Sequence, residues 1–250
     1  MGVPAVAKIA AAEKRQRRER GSINPDDIIN GAFELAEQVS VDNFSMPMLG
    51  KHLDVGVTSI YWYFRKKDDL LDAMTDRALR RYAVAAPYAE AKDWRSTLRN
   101  HARTMRETFV SNPILCDLIL IRAAQGPHAD LLDVQAAEQA IASLVAAGLS
   151  PESAFATYSA VSVHVRGSAV LHRLRDKAAA NAAARSRQNV MTIDLESAPQ
   201  LARAIHEGQH LGAADEDNFS FGLECIIDHA ERLIEANKKP APRARKAPRS

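Results

Sequence analysis

Residues 54–71 read DVGVTSIYWYFRKKDDLL, and the stretch divides into a short helix, a basic hinge and the first turn of a longer helix. Coiled from Val57 to Phe64, it sets Ile60 and Phe64 four residues apart on one face. Thr58, Ser59 and Trp62 fall near the opposite face, with Tyr61 and Tyr63 on the flanks. One side is apolar enough to dock against other helices; the other carries hydroxyls and rings suited to base edges and phosphates. Arg65, Lys66 and Lys67 follow, and Asp68 and Asp69 then open an apolar-periodic run. Acids in a first turn are favoured by the helix dipole, so the basic residues mark a break between two helices. Aromatic residues at helical spacing are more often core than surface, so the residues upstream decide the matter.

Upstream, Asn24-Pro25-Asp26-Asp27 is a helix start: Asn as cap, Pro at the first position, acids in the first turn. Ile28, Ile29, Ala32, Phe33, Leu35, Ala36 and Val39 give it a broad apolar stripe, and it ends near Ser40. Ser45 caps a second helix over Met46–Leu53, where Pro47 is tolerated in the first turn. Asp54-Val55-Gly56 is a tight turn, and Val57 opens the third helix. Three helices within about 40 residues, the last two joined by a short turn, form a helix-turn-helix, with the third helix as the reading element.

The whole chain reads as all-α. Its 46% hydrophobic content over 250 residues supports a sizeable core, alanine is abundant, and no run of alternating β-branched residues occurs. Cys116 and Cys225 lie far apart in apolar surroundings without CxxC spacing, which reads as two buried, reduced thiols in a cytoplasmic protein. The basic residues near the start follow a short apolar stretch interrupted by Lys8, the reverse of a secretory signal. No apolar run approaches the ~20 residues of a membrane helix, so no membrane role is expected. The net charge of +2 conceals an asymmetry: residues 1–21 carry +4 and residues 238–250 carry +6, leaving −8 on the body between them. Contact with a polyanion is therefore expected to be local.

Further along, a long helix runs from Lys67 to about Ala85, and Asp93 caps another containing Trp94, Leu98, His101, Met105 and Phe109. Apolar helices are expected over Ile114–Ala124 and Ala129–Ala147, the latter closed by Gly148. Ser150-Pro151-Glu152-Ser153 opens a long helix through Leu171. The charged, alanine-rich residues 174–196 are expected to be a frayed helix and a mobile loop. A short helix restarts at Pro199, and the last covers Asp215–Asn237. The final KKPAPRARKAPRS has no apolar residue larger than Ala or Pro and reads as a disordered basic tail.

SMPMLGKHLDVGVTSIYWYFRKKDDLLDAM, residues 45–74, resembles the DNA-binding signature of the tetracycline-repressor family, with YWYFRKKDDLLDA its most specific part. DWRSTLRNHARTMRETFVSNP (93–113), AAGLSPESAFATYSAVSVHVRG (146–167) and FGLECIIDHAERL (221–233) are similar to the family's ligand-binding and dimerising half. The resemblance covers roughly residues 22–236. It implies a basic arm over 1–21, a helix-turn-helix domain over 22–67, a ligand-binding and dimerisation domain over 68–236, and a basic tail over 237–250.

The resemblance places DNA-reading side chains at Val57, Thr58, Ser59, Tyr61, Trp62 and Tyr63, and a phosphate contact at Lys67; Ser45 joins them as a candidate contact. Pro47 and Val57 stand where the family's founding member carries a base-reading arginine and glutamine, so the operator is expected to differ. Asp54 replaces the usual turn glycine, and Asp tolerates left-handed geometry better than most residues. The helices said to enclose an effector carry His101, Met105, Phe109, Ile119, Arg122, His164 and Arg166. His101 replaces a ligand-binding asparagine, and Ile119, Val163 and Leu171 replace metal- or drug-contacting residues. A magnesium–tetracycline complex is therefore not expected; an apolar or anionic effector, paired with Arg122, is. The implied function is a ligand-responsive repressor that binds a pseudo-palindromic double-stranded operator as a homodimer, with an activator of the same fold as alternative.

One string points elsewhere. His206-Glu207-Gly208-Gln209-His210 is a literal HExxH, which on a regular helix would hold zinc with Glu207 as general base and Glu224, with Asp228 four residues on, as a conceivable third ligand. Gly208 and Gly212 weaken that helix, so a zinc peptidase is the lesser reading. A non-specific DNA binder acting through its basic ends is the other rival. With no GxSxG, GxGxxG or P-loop, no catalytic residue, metal or cofactor is assigned.

Overall fold

The computed structural model describes residues 23–85, 93–122, 134–184, 197–207 and 213–238, and every regular element among them is helical. The helices fall into two units that divide after Leu70.

The first unit holds α1 (Pro25–Val39), α2 (Met46–Leu53), α3 (Val57–Tyr63) and the start of α4 (Lys67–Ala85). Asn24 caps α1, its side-chain oxygen accepting from the Asp27 N–H at 2.8 Å. Ser45 caps α2 by accepting from the Met48 N–H at 3.4 Å. Between α2 and α3, Asp54 sits in the left-handed region (φ 55°, ψ 47°), and the Val55 N–H closes the turn on the Gly50 carbonyl at 3.0 Å. Gly50 lets the turn approach closely, since a Cβ would lie 3.1 Å from the Val55 oxygen and 3.4 Å from the Val57 nitrogen. Ile28, Ala32, Leu35, Phe44, Leu49, Ile60 and Leu70 are buried in this unit.

The second unit holds the rest of α4, then α5 (Trp94–Ser111), α6 (Pro113–Leu115), α7 (Val134–Ala146), α8 (Pro151–Ala184), α9 (Pro199–His206) and α10 (Glu216–Lys238). Its core lies where α5, α8 and α10 meet: Leu98, Ala102 and Met105 pack with Val161, Val165, Phe219, Leu223 and Ile227. Asp93 caps α5 through the Ser96 N–H at 2.9 Å, and that bond, with the Ser96 hydroxyl, holds its carboxyl below the usual range.

Three expectations require correction. The residues expected as one apolar helix over Ile114–Ala124 form the single turn of α6 and then a π-helical segment, Cys116–Arg122. Extra backbone per turn is an arrangement often found at functional sites. The stretch from residue 174, expected to fray, remains helical to Ala184. Two causes act together: alanine is the best helix former, and Arg173 and Lys177, one turn apart, both reach the buried Asp117. The Arg173 Nε and Nη2 donate to its two oxygens at 3.0 and 2.7 Å, and the Lys177 Nζ lies 2.8 Å from Oδ1. Cys225 is exposed rather than buried, while Cys116 is buried. The expected start of α7 at Ala129 falls outside the described residues.

Candidate nucleic-acid interface and ligand site

α3 is only seven residues long, so its apolar side must be anchored by neighbours rather than by its own helical stability. Ile60 is fully buried and Phe64, which ends the helix, nearly so. Burying each contributes about 1.5–3 kcal/mol. The remaining positions face outward. Thr58, Ser59, Tyr61, Trp62 and Tyr63 are exposed, Val57 is half-buried, and Trp62 retains 80% of its surface. The Trp62 and Tyr63 rings meet edge-on at 5.0 Å, which stiffens the pair without covering it. A helix with hydroxyls and large rings on a wet face is equipped to hydrogen-bond base edges, touch a thymine methyl and meet phosphates.

Lys67 is engaged locally. Its Nζ donates to the Val41 and Asp42 carbonyls at 3.3 and 3.4 Å and stands 4.7 Å over the Phe44 ring. It therefore ties the start of α4 to the α1–α2 connection, and a phosphate would share that ammonium or draw it away. Sequence reasoning missed this tie, which spans 26 residues of chain.

In the second unit the expected ligand residues divide into packed and polar ones. Met105, Phe109 and Ile119 are buried, and Phe109 stacks on Tyr82 at 4.7 Å. His101 is buried on α5, its ring stacked at 6.1 Å on Tyr158 of α8. His164 sets its Nε2 2.8 Å from the Phe219 carbonyl and stacks on that ring at 5.1 Å. Gly222 makes room for it, since a Cβ there would come within 2.4 Å of the imidazole. His164 also lines an open groove of about 230 Å³ with Val163, Gly167, Leu171, Asn218 and Phe219. Arg122 already has an acidic partner: its Nη2 donates to Asp72 at 2.9 Å. Arg166 has no acidic partner among the described residues, and its Nε is buried without a hydrogen bond.

Elsewhere in this unit, arginines are matched to acids. Arg99 forks onto Glu224 at 2.6 and 2.8 Å, and this bond holds the Glu224 carboxyl below its usual value. Arg106 reaches Glu216 at 3.0 Å and the Ser168 hydroxyl at 3.0 Å. Burial, then the neighbouring Asp117, push the Cys116 thiol up to about 11. Sequence reasoning also missed Ser162, buried on α8 one turn before Arg166; the i, i+4 spacing was the signal that could have found it.

Only the first two residues of the HExxH string, His206 and Glu207, are among the described residues. α9 ends at His206, Glu207 is its cap and pairs with Arg203 at 3.4 Å, and residues 208–212 lie outside the described residues. Glu224, imagined as a further ligand, is taken by Arg99. Among the described residues no group of three or more His, Cys, Asp or Glu could hold a metal ion. None of the described helices is long and apolar enough to cross a membrane.

Comparison with known proteins bears on both units. Residues 28–74 match the family model described as bacterial regulatory proteins, tetR family, and residues 86–233 match tetracyclin repressor-like, C-terminal domain. An HTH-type transcriptional repressor of Mycobacterium tuberculosis is 65% identical over 229 residues, covering 91% of this chain and 88% of that protein. The class A tetracycline repressor protein of Escherichia coli is 27% identical over 223 residues, covering 88% of this chain and 97% of that protein. The crystal structure of TetR from Acinetobacter baumannii AYE superposes with a TM-score of 0.58 at 26% identity, over 85% of this chain and 98% of that one. The chain belongs to the tetracycline-repressor family of transcriptional regulators.

Proposed function

We propose that the chain is a cytoplasmic, ligand-responsive transcriptional repressor that binds a pseudo-palindromic operator as a homodimer and leaves it when a small molecule binds. One observation carries the DNA reading: α3 follows a left-handed turn at Asp54, buries Ile60 and Phe64, and leaves Thr58, Ser59, Tyr61, Trp62 and Tyr63 in water. Those five residues with Val57 would enter the major groove. Ser45, at the start of α2, and Lys67 would meet phosphates.

A homodimer accounts for the apolar side chains exposed on two long helices. Phe155, Val163, Leu171 and Leu174 on α8 and Phe221 on α10 are all exposed, Val163 by 70% and Phe221 by 73%. A four-helix contact between two copies, made from α8 and α10 of each, would cover them. The effector would bind in the second unit, among helices carrying His101, Met105, Phe109, Ile119, Arg122, His164 and Arg166. The repressor sense is supported by the M. tuberculosis relative at 65% identity.

Selection from a random duplex library tests the reading. The expected product is a two-fold symmetric site with half-site centres about 34–36 Å apart, or a multiple. Light scattering should give a dimer, and Val163→Asp with Phe221→Asp should give monomers that lose the operator. Recovery of duplexes without a shared sequence would refute the repressor reading, and a monomer that binds as well as the parent would refute the homodimer.

A further inference from the structure

We propose that the effector of this chain is an organic anion, a carboxylate on an apolar, ring-bearing body, held by Arg166 and Ser162 of α8. The inference rests on the ligand-responsive reading above and supplies its chemical class.

Two polar atoms on one ridge of α8, Ser162 Oγ and Arg166 Nε, are buried without a hydrogen-bond partner among the described residues. Ser162 retains 6% of its surface, and its hydroxyl oxygen is buried without a hydrogen bond among the described residues. Arg166 lies one turn further on, half-buried, with its Nε buried and likewise unbonded. A buried hydroxyl or guanidinium nitrogen left unmatched is costly, so such groups point to something that binds there. The neighbourhood shows what is unusual. Arg99, Arg106, Arg122 and Arg173 each meet a carboxylate at 2.6 to 3.0 Å. Two of them, Arg99 and Arg173, use a side-on fork made of Nε and Nη2. Arg166 offers the same Nε edge with no acid among the described residues to fill it.

The ridge is bracketed by secondary structure on both sides. One turn before Ser162, Tyr158 stacks on the buried His101 of α5 at 6.1 Å. Just after Arg166, the Ala169 carbonyl lies 3.9 Å from Cys116 Sγ at the head of the π-helical segment. A ligand on Ser162 and Arg166 would therefore meet α5 and the π-helical segment at once, with aromatic surface at one end. A guanidinium edge takes a planar carboxylate in two parallel charge-assisted bonds, and the Ser162 hydroxyl can donate a third. A neutral compound of the same shape would leave the guanidinium unmatched. The anion anchor thus moves from Arg122, which Asp72 already occupies, to Arg166.

The test uses the full-length dimer and matched probes: benzoate against benzamide, and 2-naphthoate against 2-naphthamide. Thermal unfolding and release of the selected operator are both read. The carboxylates should raise the melting temperature and release DNA at concentrations about tenfold below those of the amides. Arg166→Gln should erase that preference, Arg166→Lys should keep part of it, and Ser162→Ala should weaken the carboxylates by roughly threefold. Equal action of acid and amide, no response to either carboxylate, or an undiminished preference in Arg166→Gln would overturn the proposal. Release by the amides alone would do so while leaving a ligand-responsive regulator intact. Failure of the ligand-free dimer to select an operator would instead remove the reading on which the proposal rests.

Discussion

Replacing Asp117 by Asn tests why the π-helical segment and the far end of α8 exist in their observed form. The Asp117 side chain keeps 4% of its surface and answers two cations, Arg173 and Lys177. Asn preserves the shape but removes the charge and turns one acceptor into a donor facing those cations. Breaking a buried ion pair by removing one partner costs about 3–5 kcal/mol. The cations keep 16% and 21% of their side-chain surface, so water can reach them in part, and the lower figure applies. For a unit of this size each kcal/mol moves the midpoint by about 2–4 °C, so a fall of about 6–12 °C is expected. Far-UV circular dichroism should show lost helix before the main transition, because residues 174–184 lose the tie that Lys177 makes to Asp117. Replacing all three by Leu, Met and Met should restore most of the stability, since the pair's desolvation cost goes with its attraction. A shift under about 2 °C in the single variant would refute the argument that this carboxylate holds α8 together.

Three further outcomes follow from particular residues. Trp62→Ala should leave the unfolding midpoint nearly unchanged, because the ring is 80% exposed, while weakening operator binding by about 1–3 kcal/mol in an anisotropy titration. With Cys225→Ser as background, the native protein should consume almost no thiol reagent at neutral pH, since Cys116 is buried and its thiol is pushed up to about 11; rapid labelling would mean the π-helical segment opens. The hydrogen bonds from Arg99 hold the Glu224 carboxyl below its ordinary value of 4.5, so their contribution is full above that pH and is lost as acid carries the pH through the lower folded value. Glu224→Gln should flatten that acid-side fall in a series of urea titrations; an unchanged slope would assign it to other carboxylates.

What could be read from the chain was what is decided locally. Asn24, Ser45 and Asp93 each bond a backbone N–H three residues on, so their caps depend on neighbours in sequence. Asp54 could be placed at the turn because its left-handed tolerance is a property of the residue itself. The two faces of α3 followed from a four-residue period. Two of the errors, at residues 174–184 and at the π-helical segment, concern residues whose partners lie far away in the chain. Lys177 and Arg173 stabilise α8 through a residue 56 positions before Arg173, so no window around 174–184 contains the cause. Asp117, within the π-helical segment, is buried against those same cations. At the ligand site, burial of Met105, Phe109 and Ile119 was legible from periodicity. The pairing of Arg122 with Asp72, across 50 residues, was not, and that pairing is what redirects attention to Arg166.

The Asp72–Arg122 pair offers a test of whether α4 takes part in the response to a ligand. α4 is fastened near its start by Lys67 to the Val41 and Asp42 carbonyls. Further along it is fastened by Asp72 to Arg122, the last residue of the π-helical segment, and by Tyr82 to Phe109 of α5. The stacked rings are buried and hard to part, whereas Asp72 keeps 59% of its side-chain surface and Arg122 keeps 30%. An ion pair that wet contributes about 0–1 kcal/mol, so modest changes in the π-helical segment suffice to release it. Coupling between two sites typically amounts to 1–3 kcal/mol, so a contact of this size can carry a part of it and no more. Asp72→Asn should therefore leave the unfolding midpoint within about 2 °C of the parent and operator affinity of the ligand-free dimer within about threefold. What should change is the ratio of operator affinities measured with and without 2-naphthoate, which should shrink by up to about fivefold. A variant whose ratio matches the parent's would remove the Asp72–Arg122 pair from the route of the response.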